Sequence, residues 1–176
     1  QTINTVQSTQ EQYAESGRTS ISKPDMEELR QLYNSLPTYD KLYKTEPVVE
    51  GTDYHIAVLS DEAYDTAKGL INYYRRVAGL GDITLSDDVN ESAAYGALAL
   101  AMNNSGLTHY PSQPKDMSSI DYNKAYAATT SSNLSSASGY LEKRIISLAV
   151  SGQIGDSDSS NIGTLGHRRW LLNPGV

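Results

Sequence analysis

The sequence predicts a domain built mainly of α-helices with few β-strands. Apolar residues recur at helical spacing in four segments, and the stretches between them are rich in Gly, Pro, Ser and Asn. The chain has 176 residues, about the length of one domain with a single core. Hydrophobic residues make up 38% and charged residues 20%, a polar composition that is still typical of a folded chain.

The first part of the chain, residues 1–58, is predicted to be a leader followed by one docking helix. Residues 1–21 are polar and lack periodic apolar positions. The chain also starts without Met, so we expect a mature or trimmed product. A helix is predicted at about residues 24–36, because Pro24 suits the first helical position and Pro37 ends the run.

The second part, residues 59–176, carries the stronger helix signals. Ser60 and Ser86 are predicted N-caps of two helices, which end near Val77 and Met102. The other predicted elements are a short helix near 118–127, an amphipathic helix at 141–150, and irregular or extended segments at 38–59, 82–85, 107–116, 129–138 and 152–163.

Charge and composition exclude several classes of function. With 14 Lys and Arg against 21 Asp and Glu, the net charge is −7, so we expect no nucleic-acid partner. The absence of cysteine excludes disulfide scaffolds, thiol catalysis and Cys-ligated metals. No apolar run approaches the roughly 18–20 residues that cross a bilayer, so we expect no membrane span.

Two of the three histidines lie in or directly after predicted loops, where functional side chains are common. His109 lies in a Pro-flanked loop and His167 follows a Gly-rich one. Because imidazole titrates near about pH 6.5, two such residues could share a metal ion or divide acid and base roles. Alternatively, each could simply bond a local backbone group. His55 has no matching partner and is predicted to lie on the surface.

Two other patterns also have ordinary explanations. Asp156, Asp158 and Asn161 offer oxygen ligands at close spacing, but the Gly and Glu of a calcium loop are missing. A solvated acidic loop is therefore favoured. Arg168, Arg169 and Trp170 could recognise an anionic or aromatic ligand, although a buried Trp170 with both arginines paired to carboxylates is the favoured interpretation.

Three segments taken in order resemble the CAP superfamily of cysteine-rich secretory, antigen-5 and plant pathogenesis-related class 1 proteins. They are residues 71–114, which include the LTHYPSQP stretch, SSNLSS at 131–136, and DSDSSNIGTLGHRRWLLNP at 156–174. The GHRRW piece is the most specific. The chain resembles most closely the bacterial, cysteine-free, secreted branch, and the resemblance covers roughly Leu59–Pro174.

The resemblance implies an α+β fold, an α-β-α sandwich in which helices flank a small antiparallel sheet. It also implies a cavity where two histidines and two acidic residues converge. His109 and His167 match the histidines, and Asp156 matches the second acid, with Asp158 left open. Ser132 stands where the family has its first carboxylate, in Ser131-Ser132-Asn133 instead of Gly-Glu-Asn.

The implied site is a metal centre or ligand cavity. His109, His167 and Asp156 could hold zinc or another divalent cation, with water completing a tetrahedron. Ser132, Asn133 and Arg168 are expected at the cavity rim. The family continues into further strands beyond GHRRW, so we expect either a truncated chain or a chain cleaved near its end whose remaining strands belong to a second fragment.

The favoured function is a secreted binding module whose cavity takes a divalent cation, peptide, glycan or lipid. Its partner would be an extracellular ligand or a cell-envelope component. One alternative is a peptidase-like hydrolase in which His109 or His167 acts as base and Asp156 orients it. Another is an adhesive or structural role on a cell envelope, with residues 1–58 as spacer.

Overall fold

The computed structural model describes residues 26–104, 106–137 and 142–175. The predicted leader and the start of the first predicted helix lie outside these ranges. The described elements in chain order are α1 (Met26–Asn34), β1 (Tyr43–Thr45), β2 (Val58–Leu59), α2 (Asp61–Val77), α3 (Asp87–Asn103), α4 (Ser119–Ser131), a 3₁₀ turn (Glu142–Arg144), α5 (Ile145–Gly155) and α6 (Gly166–Leu171).

The predicted helices are confirmed, but several of their ends differ from the prediction. The first helix ends at Asn34, before the predicted stop at Pro37. α4 continues to Ser131 and α5 to Gly155, so both enter segments that were predicted to be loops. The start of α2 is as predicted, because Ser60 Oγ accepts a hydrogen bond from the Ala63 N–H at 3.1 Å.

The strand content is small. β1 and β2 pair antiparallel, with Tyr43 opposite Leu59. An isolated bridge between Val48 and His55 extends the pairing toward a turn at Gly51, whose φ of 71° favours glycine. The described residues therefore form a helix-dominated α+β structure with one two-stranded sheet.

Two hydrophobic clusters hold the helices in pairs. In one, α2 packs on α5, and its buried residues are Tyr39, Leu42, Ala63, Leu70, Ile146 and Val150. In the other, α3 packs on α4, and its buried residues are Leu98, Ala99, Met117 and Ala125. The α3–α4 contact is close at Gly96, where an added Cβ would lie 3.2 Å from Thr129 Cγ2.

Arginine side chains bind backbone carbonyls at the ends of helices. Arg75 is 1% exposed, and its guanidinium donates to the carbonyls of Gly81, Leu171 and Asn173. The last carbonyls of a helix have no partner within it, so a cationic side chain that reaches them stabilises the helix end. Arg75 in this way fixes the C-terminal end of α6 against the end of α2.

The expectation of a buried Trp170 with both arginines paired to carboxylates is wrong. Trp170 is 67% exposed. Arg168 donates to the carbonyls of Ile154 and Gly155, at 2.5 and 2.7 Å, and so caps the end of α5. Within the described ranges, no helix has the length and apolar content needed to cross a membrane.

Candidate functional site

Both predicted histidines line one cavity of about 540 Å³. One part of its wall is formed by the segments that follow α3 and α4. The rest is formed by α5, by the turn after it and by α6. The lining residues are Leu107, Thr108, His109, Leu134, Ser135, Ser136, Gly152, Gln153, Asp158, Ser160, Asn161 and His167. The cavity therefore lies where the α3–α4 pair meets the α5–α6 region.

His109 is held by the end of α4. Its Nδ1 lies 2.6 Å from the carbonyl oxygen of Thr129, a residue that is 1% exposed. A carbonyl oxygen only accepts, so Nδ1 carries the proton in this contact. The neutral ring then has its lone pair on Nε2. The contact joins residues 20 positions apart in the sequence. It is therefore a tertiary contact, and not the bond to a local backbone group that was the alternative explanation for this histidine.

His167 is held by a buried carboxylate. Its Nδ1 lies 2.8 Å from Oδ1 of Asp156, and the side chains are 23% and 0% exposed respectively. Burial on its own raises the pKa of the Asp156 carboxyl. The hydrogen bonds from His167 and from the Arg168 N–H outweigh that effect, so the pKa is lowered overall. Asp156 therefore stays ionised and orients the imidazole of His167.

Asp158 lines the cavity, but its carboxylate is hydrogen-bonded within its own loop. Oδ1 accepts from the Ser160 N–H, the Ser160 hydroxyl and the Asn161 N–H, and Oδ2 accepts from Asn161 Nδ2. These bonds, led by those of the Ser160 and Asn161 side chains, lower the pKa of Asp158 to about 2. The structure thus gives the two candidate acids different tasks, since Asp156 contacts His167 and Asp158 organises the turn after α5.

The two imidazoles are the groups in this cavity best suited to bind a cation. Their Nδ1 atoms are engaged, so each has Nε2 left to act as a ligand or a base. Asp156 does not line the cavity. Among the described residues, no three His, Asp or Glu side chains are grouped to ligate one metal ion. A metal-binding histidine usually donates its second ring N–H to an outer partner, often a carboxylate that does not itself contact the metal. Asp156 fits this role for His167.

The three residues expected at the cavity rim are not among the residues that line the cavity itself. Ser132 donates its hydroxyl to the Ala128 carbonyl at 2.7 Å, which turns its side chain toward α4. With Asn133 it lines a neighbouring, mainly apolar slot of about 420 Å³. Arg168 lines a groove beside Trp170. Asn133 still reaches the site indirectly, because its Nδ2 donates to the backbone carbonyl of His167 at 3.0 Å.

Two contacts at the site were not predicted from the sequence. The Thr129 carbonyl holds His109, and Gln153 donates to Ser135 Oγ at 3.1 Å across the cavity wall. The small polar run at 129–138 showed only that a turn-rich segment was present. Neither contact leaves a signal in the sequence, because each joins residues that are far apart in the chain and depends on how the helices pack.

No protein-family model matches this chain, and the searches of curated proteins and of solved structures also gave no match.

Proposed function

We propose that this chain is a CAP-type binding module whose two-histidine cavity binds a divalent cation, with zinc as the best-suited ion. The observation that carries the proposal is that His109 and His167 line one cavity and both have Nδ1 engaged by an acceptor. In the neutral form of each ring the proton is then on Nδ1 and the lone pair of Nε2 is available, which is the form in which imidazole binds metals.

The described residues suit a site with two protein ligands. His109 and His167 would hold the ion, and Asp156 would orient His167 and increase its basicity. Water or an external ligand would complete the coordination. A bound zinc ion in such a site would polarise a carbonyl or phosphoryl oxygen of that ligand. With only two protein ligands, we expect weaker binding than at a four-residue structural site.

Calorimetric zinc titration tests the proposal. His109→Ala and His167→Ala should each weaken zinc binding at least about tenfold, because each removes one of the two nitrogen ligands. His55→Ala is the matched control, since His55 lies outside the cavity and contacts Ile56. Equal zinc affinity in the wild type and in both cavity variants would refute the cation site.

A hydrolase remains the second candidate because of the buried Asp156 behind His167. A carboxylate that holds Nδ1 leaves Nε2 as a general base, which is the orienting arrangement of many hydrolytic sites. Peptide turnover that is lost in His167→Ala and in His109→Ala would favour this candidate. Turnover that survives in the double variant would exclude it.

The fold and the location of the protein are proposed on the same resemblance. We propose that the helices and the small sheet are part of an α-β-α sandwich in a secreted protein.

A further inference from the structure

The end of α4 contacts both histidines of the cavity. The carbonyl of Thr129, in the last turn of the helix, accepts from His109 Nδ1 at 2.6 Å. Asn133, two residues beyond the end of the helix, donates from Nδ2 to the backbone carbonyl of His167 at 3.0 Å. One five-residue stretch therefore reaches two histidines that lie far apart in the chain.

The first contact follows from the way a helix ends. The last four carbonyls of a helix lack partners within it, and Thr129 is among them because α4 ends at Ser131. Thr129 is also fixed in place by its packing on Gly96 in α3. His109 thus receives a rigid, buried acceptor, although the histidine itself lies in a loop.

The second contact connects the two regions that form the cavity. His167 belongs to α6 and takes the direction of its ring from Asp156. Its backbone position relative to α4 is fixed by the bond from Asn133. Without that bond, fewer contacts would fix the position of α6 relative to α4, the helix that holds His109.

We infer that Asn133 is a positioning residue for the two-histidine site, because it ties the backbone of His167 to the same helix end that holds the ring of His109. The inference rests on the proposed function of the cavity. Asn133 does not line the cavity. It acts through His167, by fixing the separation of the two imidazoles.

The test uses Asn133→Asp, which keeps the size of the side chain and removes the donor. A carboxylate facing the His167 carbonyl is repelled, so the bond is lost with little change in volume. Asn123→Asp is the matched control, because Asn123 lies exposed on α4, the helix that precedes Asn133, and the charge change is identical. Asn133→Ala serves as a second variant if Asn133→Asp does not fold.

Two readouts separate positioning from a general effect on stability. The first is the imidazole nitrogen resonances of the metal-free protein, recorded by long-range ¹H–¹⁵N NMR. We expect those of His167 to shift in Asn133→Asp, and those of His109 to keep their wild-type values. The second is calorimetric affinity for zinc, which should fall by about tenfold, as is usual for the loss of an outer partner of a metal ligand. Asn123→Asp should match the wild type in both readouts.

The possible outcomes support or overturn the inference separately from the proposed function. Wild-type His167 resonances and wild-type zinc affinity in the Asn133 variants would overturn it, even if the melting temperature fell. If the wild-type protein binds no zinc, the cation proposal fails. The positioning role then stands or falls on the His167 resonances of the metal-free protein.

Discussion

Nδ1 of His167 lies 2.8 Å from Oδ1 of Asp156, a carboxylate completely shielded from solvent. Asp156 is also one of three described non-glycine residues with positive φ, at 47°. Asp and Asn tolerate this left-handed conformation better than most residues do. The position therefore needs a short side chain that accepts the left-handed backbone and also carries the charge that orients the histidine.

Asp156→Asn is the variant that isolates this charge, since Asn keeps the shape and the tolerance of positive φ. We expect the free energy of unfolding to fall by about 2 kcal/mol, because hydrogen bonds to a charged carboxylate are replaced by bonds to a neutral amide. Zinc affinity should fall about ten- to hundredfold, because a neutral amide is a weaker outer partner for His167 than a carboxylate. Urea denaturation and calorimetry measure the two effects. Asp116→Asn, at an exposed position outside the cavity, is the control. A variant with wild-type stability and zinc affinity would show that the charge has no role.

The stability of the turn after α5 should depend on pH because of the Asp158 carboxyl. Its pKa is lowered from 3.8 to about 2 by the bonds from Ser160 and Asn161. A carboxyl whose pKa is lower in the folded state stabilises the fold fully above its unfolded pKa, and that contribution is lost as the pH falls through the folded pKa. We therefore expect the turn to loosen between about pH 4 and pH 2. A carboxyl NMR titration that gave Asp158 an ordinary pKa would contradict the hydrogen-bonded turn.

The adjacent Arg75 and Arg76 provide a matched pair for testing the carbonyl contacts of the buried Arg75 side chain. Arg75→Lys should lower the free energy of unfolding by about 2 kcal/mol, because one buried ammonium cannot replace the guanidinium bonds to all three carbonyls. Arg76→Lys alters an exposed ion pair with Asp82 and should cost below about 1 kcal/mol. Urea denaturation of both variants gives the comparison, and equal losses would argue against the role of Arg75 at the end of α6.

Two helical glycines should respond differently to alanine. Nothing lies within 4 Å of a Cβ added at Gly152 in α5, so Gly152→Ala should stabilise the protein by about 0.5–1 kcal/mol. At Gly96 the added Cβ would meet Thr129 Cγ2 at 3.2 Å and Ala128 Cβ at 3.4 Å. The helix-propensity gain there is offset by crowding, and we expect no increase in thermal stability. An equal rise in melting temperature for both variants would show that the α3–α4 contact is looser than described.

Helix positions followed from the sequence because apolar periodicity reports which face is buried, but two helix ends did not. The run Thr129, Thr130 and Ser131 has the composition of a loop. In the structure its hydroxyls bond to the carbonyls of Tyr126 and Ala127, and the helix continues through it. α5 similarly extends through Gly152, and its last carbonyls are bonded by Arg168 from a distant segment.

The helix N-caps also show that some features depend on tertiary contacts and not on the local sequence. Ser60 and Ser86 look equivalent in the sequence, and each precedes a helix. Only the side chain of Ser60 accepts a bond from its helix, and its hydroxyl also donates to the Lys41 carbonyl at 2.7 Å. That second contact comes from the segment before β1, so it depends on packing rather than on the local sequence.

At the site, the sequence indicated which side chains to consider but not how they are held. The resemblance pointed to His109, His167 and Asp156, with Asp158 left open. The choice between Asp156 and Asp158 required the structure, since both lie in one short acidic run and only Asp156 contacts His167. The exposure of Trp170 was missed because apolar character alone does not show which face of a helix is covered.

Long-range ¹H–¹⁵N NMR of the histidines during a zinc titration reports on both rings of the proposed site in one experiment. We expect metal-free His109 and His167 both to carry their proton on Nδ1. Zinc should then shift the Nε2 resonances of both rings together, with the His55 resonances unchanged. A protein in which zinc shifts only one of the two rings, or in which either ring is protonated on Nε2, would contradict the proposed site.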